Sequence, residues 1–157
     1  RVHREWPNRL VVEVDERIPS LWVEGTDGWM LVATDGTVLE TALEPGTGLL
    51  TVSIGVRGVP AGVAPDDPLW SEIVGLSGVL STPLASASRL VGEGAEVWLE
   101  TPGHRVRLGH PIDLADKGRV VQVMLADGLP PGSTLDVVAP RRPAVIPPPS
   151  AIPEATG

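Results

Sequence analysis

The 157-residue chain has no cysteine, no tyrosine and no phenylalanine. The lack of thiols excludes thiol catalysis, disulfides and Cys-ligated zinc. It leaves the compartment open. The lack of Tyr and Phe removes phenolic acids and anchors, so the five Trp residues must fill the bulky sites. Basic residues are also scarce: 12 Lys and Arg stand against 20 Asp and Glu, a net charge of −8. Phosphate binding needs a basic face, so nucleic acid is excluded as the main partner. Long apolar runs are missing too. Gly, Pro or charge interrupts every stretch well short of the roughly 20 apolar residues that span a bilayer. No signal peptide is visible. The chain starts at Arg1 inside a strand-like pattern of Val2, Arg4 and Trp6. We therefore expect the C-terminal part of a longer protein, with anything that targets it removed.

What remains is 42% hydrophobic, with 18 Gly and 17 Pro. A chain of this length suits one domain and buries a core without metal or disulfide staples. The Gly and Pro content indicates a loop-rich domain, below the level of wholesale disorder.

Periodicity supplies the elements. Leu10, Val12 and Val14 alternate with Val11, Glu13 and Asp15, a period of two that predicts a hairpin over 1–16 with Pro7-Asn8 in its turn. Pro19 is expected to end that run. Trp22-Val23 and Trp29 to Val32 read as further strands, the second buried on both faces. Asp35-Gly36 reads as a two-residue primed turn, with Val38 and Leu39 starting the return strand. Leu49 to Ile54 is a candidate strand within a loop over 44–65. A first helix is expected over 67–80, with Asp67 as cap, Pro68 in the first turn and Leu69, Ile73, Leu76 and Leu80 as its apolar stripe. Gly75 and Gly78 weaken it, and Pro83 bars its continuation. Glu96 to Glu100 and His104 to Leu108 flank a Pro102-Gly103 turn. A second helix is expected over 112–127, with Leu114, Val121 and Leu125 on one face, an Asp113–Lys117 pair, and Gly118 as a local defect. Residues 133–139 read as a last strand. Residues 140–157, with six of the 17 Pro, read as an extended or flexible tail.

Candidate chemical groups are few. His3, His104 and His110 lack a supporting H-x-x-x-H or carboxylate cluster, so no metal is expected. Glu13, Asp15, Glu16, Asp66 and Asp67 suggest a carboxylate pair only on paper, because the strand faces of the first two point to water and Asp67 caps a helix. Ser77 lies inside a helix and outside a G-x-S-x-G elbow. The glycine pairs around Thr47 and Glu93 do not precede a helix at phosphate-binding spacing. No catalytic residue and no cofactor is assigned.

Three blocks carry a family resemblance. Arg4-Glu5-Trp6-Pro7-Asn8-Arg9-Leu10, Glu13-Val14 and Glu16-Arg17-Ile18-Pro19 resemble the R-x-W-P-x-x-L…V-x-E-R-x-P run of the bacterial cell-division FtsQ/DivIB family. Gly28 to Val32 with Asp35 to Val38 resembles that family's W-x-L-V-D-x-x-G-V-x-F hairpin, with Ala33 and Leu39 as departures. Val106-Arg107-Leu108-Gly109, Asp113 to Lys117 and Pro131 to Val137 resemble its closing segment in order and spacing. The high Ala, Gly, Val and Pro content resembles actinobacterial versions.

The resemblance implies an α+β fold: a mainly antiparallel, curved β-sheet with two helices, preceded by the last hairpin of a POTRA domain. Its implied divisions are residues 1–19 as that hairpin, 20–140 as the β domain and 141–157 as a Pro-rich flexible tail. It further implies a non-enzymatic scaffold for septum formation, on a single-pass membrane protein with this part extracytoplasmic. Its partners would be bitopic proteins of the FtsB and FtsL type, which add a strand beside the last β-strand. That role carries over to Ser133, Thr134, Leu135, Asp136, Val137, Val138 and Ala139. Independently, a terminal strand before a Pro-rich tail is expected at a sheet edge, where open N–H and C=O groups template another chain. Arg141 and Arg142 would attract acidic residues of that partner. The alternative reading is a cell-wall polymer binding module with exposed Trp rings as its platform, Trp98 foremost.

Overall fold

The computed structural model describes residues 2–5, 9–12 and 16–148. Strands β1 (Val2–Glu5) and β2 (Arg9–Val12) form a separate two-stranded antiparallel sheet, with Val2 opposite Val12 and Arg4 opposite Leu10. This is the expected hairpin. Its Pro7-Asn8 turn, and Glu13 to Asp15 after it, lie outside the described residues.

The remaining strands form one nine-stranded sheet. They are β3 (Pro19–Gly25), β4 (Gly28–Ala33), β5 (Val38–Ala42), β6 (Leu50–Ser53), β7 (Arg89–Glu93), β8 (Glu96–Thr101), β9 (His104–Gly109), β10 (Thr134–Asp136) and β11 (Ala144–Ile146). Their spatial order is β11-β10-β9-β8-β7-β6-β3-β4-β5. The fold is α+β and mostly antiparallel, as expected. Three neighbouring pairs are parallel: β3–β6, β6–β7 and β9–β10. Pro19 opens β3 rather than ending the run before it. A strand's first residue tolerates a missing donor.

Helix α1 (Pro68–Val79) and the short α2 (Thr82–Ser86) connect β6 to β7, and α3 (Leu114–Ala126) connects β9 to β10. Both connections join parallel neighbours and step across the sheet in the same direction. Right-handed crossovers then place both helices on one face. Accordingly α1 packs on α3 and on β3, and α3 packs on β9. Alternate strand residues feed the core beneath them: Leu21, Val23, Leu50, Val52, Leu90, Leu99, Val106, Leu108, Leu135 and Val137 are fully buried.

Local chemistry explains most boundaries. The Asp67 carboxylate accepts the Leu69 amide at 2.8 Å and Pro68 occupies the first turn, which starts α1 as expected. Its buried side chains are Trp70, Ile73, Leu76 and Ser77. The stripe is thus rotated toward Trp70, whose Nε1 donates to the Gly36 carbonyl at 2.8 Å, and Leu69 is only half-buried. After Leu80 the chain restarts as α2, with Pro83 in its first turn; Pro83 stops one helix and opens another. The β4–β5 connection is longer than a primed two-residue turn. Only Gly36 has positive φ (82°), its amide donates to Ala33, and the Asp35 carboxylate accepts the Thr37 amide. This is the three-residue alternative with glycine in the left-handed position.

Two expectations on α3 are corrected. Gly118 is a contact rather than a defect: a Cβ there would meet Leu76 Cδ1 at 2.7 Å and Val79 Cγ2 at 2.8 Å. The missing side chain lets α3 close on α1. The expected Asp113–Lys117 pair does not form an ion pair among the described residues, because Lys117 is turned inward and only 3% exposed. Its Nζ donates to the carbonyls of Leu108 and His110 at 2.7 and 2.9 Å, clamping the end of β9 to α3. Burial pushes its ammonium pKa down, against the pull of Asp113 and Glu72.

The carboxyl-terminal flank as the candidate functional site

The residues assigned to the expected edge strand divide between core and surface. Ser133 is 1% exposed, and its Oγ lies 3.3 Å from His104 Nδ1. Leu135 and Val137 are fully buried. Thr134 and Asp136 are half-buried, on the face away from the helices, while Val138 and Ala139 are exposed.

The strand itself is shorter than 133–139 and is not an edge. β10 spans Thr134–Asp136, parallel to β9 on one side and antiparallel to β11 on the other. The Val137 amide donates inward to the Arg107 carbonyl at 2.9 Å. Alternation therefore turns the amides of Thr134 and Asp136 toward β11, where Ile146 and Ala144 stand in register. The Val138 amide is taken by the Asp136 carboxylate at 3.1 Å, which ends the ladder. A turn follows, closed by the Arg142 amide on the Ala139 carbonyl at 2.9 Å. Pro140 lies within this turn, and β11 follows it. The tail from 141 is thus partly structured, because Pro143 and Pro147 remove only their own donors and leave Ala144, Val145 and Ile146 free to pair. Residues 149–157 lie outside the described residues.

β11 is thin cover. All three of its residues are exposed, and none joins the core cluster. Val145 stands opposite Leu135, and Ile146 is 51% exposed. At the other end of the sheet, the start of β5 is occupied by a loop: Val38 donates to Val63 and Gly62 donates to Val38.

The face away from the helices is laced with charge beside this flank. Arg107 bonds Glu96 through both Nε and Nη2, and Asp136 through Nη1 at 3.2 Å. The Glu96 carboxyl is held below its usual range, chiefly by those Arg107 bonds, and the Arg107 guanidinium pKa is raised by Glu96 and then Asp136. Arg105 bonds Glu93, and its guanidinium lies 4.4 Å from the centre of the Trp98 ring. Arg141 and Arg142 are exposed and form no ion pair among the described residues.

The other candidate groups lie apart. His104 opens β9, and His110 follows its far end with Nδ1 3.0 Å from the Ala95 carbonyl. Among the described residues, no group of three or more His, Asp or Glu is placed to hold a metal. Ser77 Oγ lies 2.6 Å from Ser20 Oγ and donates to the Val74 carbonyl, tying α1 to β3. Trp22 and Trp70 are 6% and 5% exposed, the first covered by Gly46. Trp29 and Trp98 are half-buried on β4 and β8, four places apart in the sheet, about 19 Å at the usual strand spacing. The cleft of about 460 Å³ between α2, α3 and the β8–β9 turn holds His104 as its one titratable side chain. A second cleft, of about 280 Å³, holds only Asp27.

Sequence reasoning missed β11. The signal was Val145-Ile146, two β-branched residues between prolines, hidden by the composition around them. No protein-family model, no curated protein and no solved structure matches the chain.

Proposed function

We propose that the chain is the extracytoplasmic part of an FtsQ/DivIB-type division scaffold. It is non-enzymatic, it acts at the septum from a membrane anchor upstream, and it recruits bitopic FtsB- and FtsL-type proteins by strand pairing at the carboxyl-terminal flank. The observation that carries this reading is a convergence. The closing blocks of the resemblance, spread over residues 106–137, meet at one corner. Val106–Gly109 is in β9, Pro131–Val137 runs into β10 beside it, and Lys117 from the Asp113–Lys117 block bonds the Leu108 carbonyl. A scaffold that pairs strands there needs this corner rigid and its outer flank accessible.

The domain assignments follow the same reading, with two adjustments. The POTRA-type hairpin is β1–β2, and the β domain runs from Pro19 through Ile146. The wall-polymer alternative needs adjacent Trp rings facing solvent. Among the described residues Trp22 and Trp70 are buried, and a guanidinium lies over Trp98.

The test is calorimetric titration of the chain with the extracytoplasmic segments of FtsB- and FtsL-type proteins, and separately with glycan strands. Saturable binding of the protein segments is expected. Glycan binding without protein binding would replace this reading by the alternative.

A further inference from the structure

We propose that β11 is a removable occupant of the β10 flank, displaced by an antiparallel partner strand that carries a basic side chain opposite Asp136. This rests on the strand-pairing reading above and adds how the flank is opened and what it selects.

Three observations carry it. First, β11 is held by little besides its backbone. It has three residues, all exposed, none in the core cluster, and it is bracketed by Pro143 and Pro147. Second, the groups it covers are the ones a pairing strand needs. The Val137 amide is spent on β9 and the Val138 amide on the Asp136 carboxylate, which leaves Thr134 and Asp136 as the outward donors of β10. An incoming strand reaches them only where β11 now lies.

Third, the side chain opposite Asp136 is poorly matched. Glu96 and Asp136 share the single guanidinium of Arg107, and Arg105 stands between Glu93 and Glu100. Four carboxylates thus face two cations, and Ala144 brings no charge to the position opposite Asp136. Opposite charges across a strand pair are favourable, so a Lys or Arg there outcompetes Ala144. Displacement costs the incoming strand a fraction of its affinity, set by how often β11 is already undocked.

The test uses the full chain and its Ile146→Pro variant. That change deletes the amide in register with Thr134 and touches no core side chain. Two synthetic heptapeptides serve as probes: residues 142–148, and the same sequence with Ala144→Arg. NMR reads the Thr134 and Asp136 amides. We expect both peptides to shift these amides in the variant and barely in the unaltered chain. The Arg peptide should bind about two- to fivefold tighter, an advantage lost on Asp136→Asn. An unmoved spectrum in the variant overturns the exchange, and equal affinities overturn the basic partner. In a separate arm, an FtsB-type segment should bind the variant about tenfold tighter than the unaltered chain. Equal or weaker binding overturns the exchange while leaving the proposed function intact. No binding to either, with the peptides bound, overturns the function and leaves the exchange standing.

Discussion

Gly118 of α3 lies against Leu76 of α1, so close that a Cβ on the glycine would stand 2.7 Å from Leu76 Cδ1. The two helices cover one face of the sheet, and this contact sets how near they come. A glycine in a helix interior costs about 1 kcal/mol relative to Ala. Here that cost is offset by helix–helix packing. Gly118→Val should destabilise the fold by roughly 1–3 kcal/mol, the usual range for overpacking. Urea denaturation followed by Trp fluorescence measures it. A neutral result would mean that α1 and α3 are not held at this distance.

Lys117 should behave as a structural cation. Lys117→Met keeps the stem but leaves the Leu108 and His110 carbonyls without their donor. A loss of about 1–3 kcal/mol is expected, the range for a buried acceptor left unsatisfied. Hydrogen exchange should show the loosening first at the end of β9 and the start of α3. Unchanged protection there would show that the clamp does not hold those segments.

Acid should act on the β4–β5 turn. The Asp35 carboxyl is lowered from 3.8 to about 2 by the Thr37 amide and then by Arg17. A depressed carboxylate adds stability that is complete above its unfolded value and is lost as pH falls through the folded one. The stability difference between the chain and Asp35→Asn should therefore be constant above about pH 5 and shrink between pH 4 and 2. Denaturation at several acid pH values reads this directly. A difference independent of pH would contradict the assignment.

The two sides of β10 should respond differently to proline. Val137→Pro deletes the inward bond to Arg107 and should cost roughly 1–3 kcal/mol of stability. Thr134→Pro deletes a donor facing β11, the exposed outer strand, so it should cost less stability than Val137→Pro while abolishing strand pairing. Equal destabilisation by both would mean that the β10 amides do not alternate as the register requires.

Much of this fold was legible in the residues. Asp67-Pro68 marked the start of α1, the alternation of Val97 with Leu99 and of Val106 with Leu108 marked buried strand faces, and Pro102-Gly103 marked a turn. Each signal is local, which is why it survives in sequence. The misreadings concern tertiary facts. Gly118 read as a flaw and Lys117 as the partner of Asp113 because their actual partners, Leu76 and the Leu108 and His110 carbonyls, are set by tertiary packing. Asp35-Gly36 suggested a tighter turn, because dipeptide preference does not fix loop length when only Gly36 takes positive φ. The candidate site was half legible. The residues of β10 were identified, but composition concealed that Val145 and Ile146, set among prolines, pair with them.

The most direct test of the scaffold reading is a calorimetric titration of the chain with an FtsB-type extracytoplasmic segment, with hydrogen exchange recorded on the complex. The account predicts saturable binding, new protection of the Thr134 and Asp136 amides by the partner, and release of Ala144 and Ile146. Binding that protects amides elsewhere, on the β5 side or along the helices, or no binding at all, would contradict it.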